Sequence, residues 1–285
     1  MFTDKNDSKL DSKEVDRMFY EMMEGELRVE LDEEVTPPPI AISYGTHTYS
    51  TRKGSVTKET PLATYGNFSF IQAPPKTFKS FFTSLVVSTY LRSQNRWAGN
   101  KFKSYREGRK VFHFDTEQGK WHCQRGFRRA SSMAEEIDGY ETFSLRTVSY
   151  KHRIGFIEHI LSKQEDGDIG LVVIDGLADL VADVNNIEES NLCVQKLMEW
   201  SANYNCHIMT VIHSNHGSDK PTGHLGSFCE KKTETQISLS RDEDTNIVSV
   251  SCKRSRNYGF EDFSFFINAY HYPEWIDSNK PSIDY

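Results

Sequence analysis

A strand, a loop and a helix follow one another without interruption between residues 66 and 91 (GNFSFIQAPPKTFKSFFTSLVVSTYL). Residues 67–72 are predicted to form a short apolar strand, and Pro74 and Pro75 favour a non-helical loop. Residues 81–91 carry no charge, which is typical of a buried helix. A strand that leads directly into a buried helix is a unit of an α/β fold, in which helices cover a sheet.

The start of this helix has the residue types of a phosphate site. Lys79 and Ser80 supply an ammonium and a hydroxyl at a helix N-terminus, where free backbone N–H groups favour anions, so they can hold phosphates and Mg²⁺. The phosphate-loop pattern GxxxxGK[ST] is met with Ala73 and Phe78 in place of both glycines. A lysine that merely begins a core helix stays open as an alternative. The residues predicted to surround the phosphates are Ala73, Pro74, Pro75, Lys76, Thr77, Phe78, Lys79 and Ser80.

Three further apolar runs end in acidic or polar residues. They are residues 110–115 (KVFHFD), 170–175 (GLVVID) and 206–213 (CHIMTVIH). Such runs are typical of parallel strands buried on both faces, with functional residues at their carboxyl ends. Helical patterns at 151–163 and 187–204 separate them, so the sequence predicts an α/β sheet with right-handed crossovers.

The ends of these strands predict the rest of a nucleotide site. Asp175 would hold Mg²⁺ together with Ser80, because Mg²⁺ takes few protein carboxylates and keeps several waters. Glu117 would orient the attacking water, and His213 would lie near the γ-phosphate. Each assignment has an alternative: Asp175 as a turn residue, Glu117 as a solvated acid with Asp115 as the base, and His213 as an ordinary hydrogen-bonded strand end.

These segments together resemble the RecA-type ATPases of the RepA-like and DnaB-like helicase group, which includes compact ATPases of phages and mobile elements. The resemblance covers residues 39–268. It rests on GNFSFI with the Lys79-Ser80 loop, and on VFHFDTEQGKWHCQRGFRR, LVVIDGLADLV, TVIHSNHGSDKPTGHLGS and VSCKRSRNYGFEDFSFFIN.

The resemblance implies roles for individual residues. Glu117 matches the catalytic base, Asp175 the metal-binding aspartate and His213 the polar residue that ends the next strand. A Gly-Ser-containing loop is expected at 223–227. The basic pattern of Lys253, Arg254 and Arg256 matches cations that reach the nucleotide of a neighbouring subunit. The chain departs from the family at Ala73 and Phe78, and Phe78 is expected to adopt positive φ only at a cost.

Length and composition agree with one large intracellular domain. The chain of 285 residues can bury one full sheet. Its five cysteines show no CxxC spacing, which disfavours a zinc site or a disulfide scaffold and favours a reducing, cytoplasmic location. The acidic start does not resemble an export signal, and no apolar run is long enough to span a membrane.

The net charge of −7 resides in residues 1–36, which hold 12 acids and 5 bases, so the remaining 29 acids and 29 bases cancel. Basic clusters interleaved with aromatic residues could bind single-stranded DNA; ordinary solvated surfaces are the alternative. The basic residues are Lys101, Lys103, Arg106, Arg109, Lys110, Arg125, Arg128, Arg129, Lys253, Arg254 and Arg256. The aromatic ones are Trp97, Phe102, Tyr105, Trp121 and Phe127.

The first 36 residues are predicted to form a separable acidic segment with an amphipathic helix at 11–24, whose apolar stripe runs from Val15 to Met23. A proline linker and a small β-hairpin are expected within 37–62. The ATPase core follows at 63–270. Residues 271–285 lack periodicity and are expected to form a tail anchored by Trp275.

The sequence therefore predicts a RecA-like P-loop NTPase core with a mostly parallel central sheet, helices on both faces and an N-terminal helical appendage. The expected activity is Mg²⁺-dependent ATP hydrolysis coupled to DNA handling by a homo-oligomer, with Arg254 or Arg256 acting in trans. One alternative is a slow NTP-binding regulatory or scaffold module that binds DNA or a partner protein. A sheet enzyme for another phosphorylated substrate is a third possibility.

Overall fold

A computed structural model describes residues 12–92, 97–214 and 220–276 of the chain. The chain divides into two compact units, Met1–Pro37 and Pro38–Tyr285. The described part of the first unit contains the helix α1, Ser12–Leu27. This helix extends about one turn beyond the predicted C-terminal end. Its apolar residues Val15, Met18 and Met22 are each about half exposed or more.

The second unit is built on a mostly parallel sheet, which confirms the predicted fold class. Nine strands of the described chain lie in the order β12-β11-β10-β9-β3-β8-β7-β5-β6. The six strands from β9 to β6 are parallel, and β10, β11 and β12 continue the sheet in antiparallel pairs. The strands are β3 Phe68–Ala73, β5 Lys110–Asp115, β6 Tyr140–Ser144, β7 Ile169–Asp175, β8 His207–His213, β9 Thr235–Arg241, β10 Val248–Ser255, β11 Phe263–Ile267 and β12 Pro273–Ile276.

Both faces of this sheet are buried because successive side chains point to opposite sides. Ile71 and Val173 belong to one core, whereas Phe70 and Val172 belong to the other. Helices α2 and α3 pack in the first core and α4, α5 and α6 in the second. The helices are α2 Lys79–Leu91, α3 Lys120–Ala134, α4 Tyr150–Leu161, α5 Ile187–Asn203 and α6 Gly223–Lys232, with a 3-10 turn at Leu177–Leu180. No helix within the described ranges is both long and apolar enough to cross a membrane.

A second sheet contains the predicted hairpin. Strands β1 (Ile40–Thr51) and β2 (Gly54–Thr64) pair in antiparallel fashion, and the short β4 (Phe102–Ser104) joins the other edge of β1. The base of the hairpin is part of the first core, since Ile42 and Leu62 are fully buried there. The hairpin therefore belongs to the same compact unit as the large sheet.

The structure corrects three local predictions. Residues 223–227, expected as a loop, form the first turns of α6. The sequence predicts a short apolar strand at 247–250 with Lys253 and Arg254 beyond it, whereas both residues lie within the longer β10, Val248–Ser255. The expected tail begins as the edge strand β12, because Trp275 pairs with Phe265 and its Nε1 donates to the Tyr44 hydroxyl at 3.0 Å. Residues 277–285 of the predicted tail, and 215–219 of the quoted TVIHSNHGSDKPTGHLGS segment, lie outside the described residues.

Candidate active site

The parallel register brings the predicted site residues to one edge of the sheet. Ala73, the last residue of β3, pairs with His213 at the end of β8. Asp115 pairs with Asp175, which in turn pairs with Val211 of β8. Since the carboxyl ends of neighbouring parallel strands meet at the same edge, four segments that are distant in sequence form one site.

The loop before α2 has the backbone of an anion-binding nest. Lys76 and Phe78 both adopt positive φ, at 64° and 57°. Within the described chain, the backbone N–H groups of residues 76–80 donate no hydrogen bond. Alternating backbone conformations that leave consecutive N–H groups free form a concave site for anions. The residues present therefore fit a phosphate group.

Phe78 adopts the conformation that its side chain was expected to disfavour. Its ring packs edge-on to Phe81, with centroids 5.4 Å apart, and the Arg241 guanidinium lies 4.4 Å from the ring centroid. Arg241 also donates to the Lys76 carbonyl at 3.1 Å. The cost of left-handed backbone at a non-glycine residue is about 1–2 kcal/mol. These contacts oppose it, so missing glycines do not prevent the loop conformation.

Lys79 reaches back across the mouth of the loop. Its Nζ donates to the Pro74 carbonyl at 3.0 Å and lies 3.1 Å from His213 Nδ1. Burial lowers the pKa of Lys79, and the nearby carboxylates of Asp175 and Glu117 oppose that shift. A partly desolvated ammonium is stabilised by an anion that approaches it.

His213 connects Lys79 to Glu117. An ammonium only donates hydrogen bonds, so the Nδ1 atom facing Lys79 acts as the acceptor and the neutral ring carries its proton on Nε2. Nε2 lies 3.5 Å from Glu117 Oε2. This hydrogen bond is the main cause that lowers the pKa of Glu117, and burial opposes it. Glu117 is thus favoured as a carboxylate, and its side chain is 56% exposed.

Asp115 is committed to its own loop. Its Oδ1 accepts from the backbone N–H groups of Glu117 and Gln118, at 3.1 and 2.8 Å, and its Oδ2 accepts from Gln118 Nε2 at 2.8 Å. Burial raises its pKa, and these hydrogen bonds oppose that shift. Both carboxylate oxygens are therefore engaged, which favours Glu117 over Asp115 as the group that meets water.

Asp175 is the most perturbed carboxyl group of the site. Burial, followed by the charges of Asp115 and Glu117, raises its pKa to about 7, while Lys79 and His213 act in the opposite direction. The loop that follows β5 stabilises the end of β7, because Thr116 donates its N–H to the Asp175 carbonyl at 2.7 Å. Its hydroxyl also accepts from the N–H of Gly176 at 2.9 Å. The Asp175–Gly176 peptide bond is cis.

The donor set fits Mg²⁺ bound together with phosphates. Asp175 and Ser80 provide hard oxygen ligands, and the buried Ser214 Oγ, beside His213, has no hydrogen-bond partner among the described residues. In the described ranges no group of three or more His, Cys, Asp or Glu side chains is placed to enclose a metal. Mg²⁺ does not require such a group, because waters and phosphate oxygens complete its shell.

Sequence reasoning missed two arginines near the site. Arg146, just after β6, lowers the pKa of Glu117 through its charge. Arg129 of α3 donates to the Ser80 carbonyl at 3.3 Å and lies 3.6 Å from the Phe81 ring centroid. Arg241, described above, is a third. No local pattern indicates that these residues lie near the site, because each comes from a segment that only the fold brings to α2 or to β5.

Lys253, Arg254 and Arg256 lie at the opposite edge of the sheet from Lys79. Ser255 pairs with Thr235, which pairs with Ser69 near the start of β3. Ala73 is four residues further along β3 than Ser69, a distance of about 13 Å. Arg256 donates to the Lys232 carbonyl at 2.7 Å, whereas Arg254 is 60% exposed, with Glu230 at 3.9 Å. These three residues are therefore not part of the site within one chain.

Most of the first basic cluster has structural partners. Lys101, Lys103 and Lys110 form ion pairs with Glu261, Glu59 and Asp168. Arg106 donates to three backbone carbonyls, and Arg109 lies over the Tyr65 ring. Phe102 is buried and Tyr105 donates to Glu59. For this cluster the structure favours a structural role over DNA binding.

The comparisons with known proteins agree with this geometry. A family model described as an AAA domain matches residues 61–219, more than half of the chain, so the chain belongs to the AAA domain family. A solved structure whose title describes it as an ATPase domain superposes with a TM-score of 0.54 at 14% identity, over 74% of this chain and 84% of that one. The RadB recombinase gives a TM-score of 0.53 at 17% identity, over 75% and 92%. A comparison with curated proteins gave no match.

The chain therefore shares the fold of these two structures, which agrees with the predicted RecA-like P-loop core. The family match includes the phosphate loop, Glu117, Asp175 and His213.

Proposed function

We propose that the protein hydrolyses ATP in a Mg²⁺-dependent reaction and couples hydrolysis to the handling of single-stranded DNA, as a helicase-like, replication or mobilisation motor. The observation that carries the proposal is the meeting of an anion-binding loop, Lys79 and a half-exposed Glu117 at one edge of the sheet. The loop alone would suit many phosphorylated ligands. Glu117 adds a carboxylate that can orient water for attack on a phosphate.

Each side chain has a distinct role in this reaction. The free N–H groups of residues 76–80 and Lys79 hold the phosphates, and Ser80 and Asp175 hold the metal. Glu117 accepts a hydrogen bond from the attacking water. His213, in contact with both Lys79 and Glu117, responds when the γ-phosphate attracts the ammonium. Mg²⁺, when bound, would neutralise charge on the phosphate oxygens as the terminal bond breaks.

An arginine from a neighbouring subunit completes the proposal. Arg254 and Arg256 cannot reach the phosphate loop of their own chain, since they lie at the opposite sheet edge. In a ring or filament, one subunit's edge can face the next subunit's loop, and an arginine finger supplied in trans is worth about 10³–10⁵ in rate. Lys253 would assist it, and the apolar stripe of α1 would help to hold neighbours together.

A slow NTP-binding regulatory or scaffold module is the second candidate. Ala73 and Phe78 favour it, because a loop without glycines leaves less room for backbone adjustment during turnover. Phosphate release with and without single-stranded DNA, measured beside nucleotide affinity, separates the two. A motor should show DNA-stimulated release, and a module should bind nucleotide with release at background level.

Lys79→Ala provides the decisive control. It should abolish nucleotide binding without unfolding the chain, because the side chain contacts the loop and His213 rather than the core. The exposed Lys163→Ala, with the same loss of charge, should leave binding unchanged. Unchanged ATP affinity in Lys79→Ala would show that the phosphate loop has been assigned wrongly.

A further inference from the structure

Helix α3 and the loop between β11 and β12 enclose a basic hollow that the nucleotide site does not use. The hollow has a volume of about 200 Å³, and Arg125, Arg128, Arg129, Tyr270 and Tyr272 lie along it. Helix α3 contains no acidic residue. In the described part of the chain none of the three arginines has an ion-pair partner. The hollow therefore carries uncompensated positive charge.

Arg129 is affected both by burial and by its basic neighbour. Burial, followed by repulsion from Arg125, lowers the pKa of Arg129 to about 10. An anion placed between these arginines would relieve the repulsion, and a guanidinium can meet phosphate oxygens with two N–H groups at once. The chemistry of the hollow therefore favours a phosphate group over a neutral ligand.

The hollow continues into an aromatic surface. Tyr270 and Tyr272 also line a second cavity of about 550 Å³, which Trp97 and Glu274 border. The Trp97 and Tyr272 rings stack with centroids 5.2 Å apart, and Tyr270 is 79% exposed. Phosphate-binding arginines next to exposed aromatic rings are the combination that binds a single strand, because every base can stack on a ring.

The aromatic loop is held in place by hydrogen bonds of the backbone and side chain of Asn268. Asn268 Oδ1 accepts from the backbone N–H groups of Tyr270 and Tyr272, at 3.0 and 3.1 Å. Asn268 Nδ2 donates to Glu274 at 3.3 Å, which engages the carboxylate that borders this surface. A loop fixed in this way presents its rings without a large ordering cost on binding.

We propose that this arginine–aromatic surface, formed by Arg125, Arg128, Tyr270, Tyr272 and Trp97, binds single-stranded DNA. Its arginines hold the phosphates, and the rings stack against the bases. The inference rests on the proposed DNA-coupled function and states where the strand lies. A duplex is a poorer ligand, since its bases are stacked on each other. Arg129, which lines the same hollow, contacts the Ser80 carbonyl in the first turn of the phosphate-loop helix.

The test measures binding of a fluorescently labelled oligodeoxynucleotide by anisotropy, without nucleotide, using the full chain. Arg125→Glu with Arg128→Glu should weaken binding more than tenfold and reduce the slope of log affinity against log salt by about 1.4, as expected for two lost phosphate contacts. The matched control is Lys151→Glu with Lys163→Glu, which makes the same change in net charge on α4 and just after it, on the other face of the sheet. The control should retain most of the affinity.

Tyr270→Ala separates stacking from charge. It should weaken binding of the normal strand by about five- to 100-fold, as for a lost base–ring stack. It should leave binding of an abasic strand of equal length unchanged. Equal losses on the two strands, or an arginine double variant that binds like the control, overturns the proposal.

The same assays in the Lys79→Ala background keep this surface distinct from the ATPase proposal. Arginine variants with normal DNA affinity and intact phosphate release would refute the surface alone. A wild-type protein that binds the strand through these residues but releases no phosphate would refute the ATPase and leave the surface standing.

Discussion

At the scale of single residues, the site holds its two central charges at a cost. Burial lowers the pKa of Lys79 and raises that of Asp175 to about 7. Both shifts disfavour the charged form of the group. A bound phosphate stabilises the ammonium, and a bound cation stabilises the carboxylate. The site should therefore favour a ligand that brings a phosphate group and a cation together.

Asp175→Asn should therefore stabilise the nucleotide-free protein at high pH. The folded-state pKa of about 7 lies above the ordinary value of 3.8, so the folded state binds the proton more tightly. The contribution of the Asp175 carboxyl group to the stability of the fold is favourable below about pH 4 and is lost as pH rises through 7. Asparagine stays neutral, and its advantage in free energy of unfolding should grow from pH 4 to pH 7, towards about 4 kcal/mol at most.

Urea unfolding of the nucleotide-free chain at pH 5 and pH 8 measures this difference. The exposed Asp166→Asn serves as the control, since it removes a carboxylate without burial. An Asp175→Asn advantage that is the same at both pH values would contradict the raised pKa. In a steady-state assay the same variant should require more Mg²⁺, because it loses the proposed metal ligand.

Glu117→Gln and Asp115→Asn should fail in different ways. Glu117→Gln removes the carboxylate proposed to orient water and should lower turnover by roughly 10² to 10⁴, with nucleotide affinity and stability retained. Asp115→Asn disturbs hydrogen bonds within the loop. It should lower the free energy of unfolding by about 1 kcal/mol. It should lower turnover less than Glu117→Gln does. Single-turnover kinetics measures the loss of turnover, and thermal unfolding measures the loss of stability. A larger loss of turnover in Asp115→Asn than in Glu117→Gln would make Asp115 the base.

At the scale of elements, the phosphate loop depends on contacts from outside its own sequence. Its left-handed residue Phe78 packs on Phe81 of α2 and under Arg241 of β9. At this position the backbone preference disfavours the left-handed conformation, whereas the packing of the side chain favours it. Substitutions that remove the ring measure the backbone effect by itself.

Phe78→Gly should be more stable than Phe78→Ala by about 1 kcal/mol, although both lose the ring. Glycine adopts positive φ without a steric penalty and alanine does not. Gln124, exposed within α3, is the control position, because alanine should be more stable than glycine there by about 1 kcal/mol. Urea unfolding of the four variants checks the two orders. If alanine were also more stable than glycine at position 78, the left-handed conformation of the loop would be ruled out.

At the scale of the whole molecule, the position of the late arginines makes assembly testable. Lys79→Ala and Arg254→Ala or Arg256→Ala subunits should each be inactive alone. Mixed, they should regain partial ATPase activity, because some interfaces then join an intact loop to an intact arginine. Arg254 is the stronger candidate, since Arg256 already donates to the Lys232 carbonyl.

Arg146→Ala provides the matched control for this mixture. Arg146 acts on Glu117 of its own chain, so no mixture with Lys79→Ala restores a complete site. Phosphate release by the mixtures, with mass measurement under ATP and DNA, gives the answer. If neither the Arg254→Ala nor the Arg256→Ala mixture recovers ATPase activity, and the mass is that of a monomer, action in trans is excluded.

The sequence alone predicted the four strands whose ends form the candidate site, but not the neighbouring β6, β9 and α3. Buried parallel strands consist of unbroken apolar runs, and the polar residues that end them must lie at one edge. For this reason Asp115, Asp175 and His213 were expected at one sheet edge, and the strand register brings them there. Alternation of these strands with amphipathic helices was sufficient for the α/β fold class.

Only the tertiary structure decided what depends on partners distant in the chain. Arg241, Arg129 and Arg146 approach the site from β9, α3 and the end of β6, and no local pattern predicts that approach. The same applies to the charges of Lys101, Lys103 and Lys110, which resemble a DNA-binding cluster in sequence but are neutralised by carboxylates up to 160 residues away. Local sequence records propensity and periodicity, whereas the partner that a charge finds is set by how the chain folds back on itself.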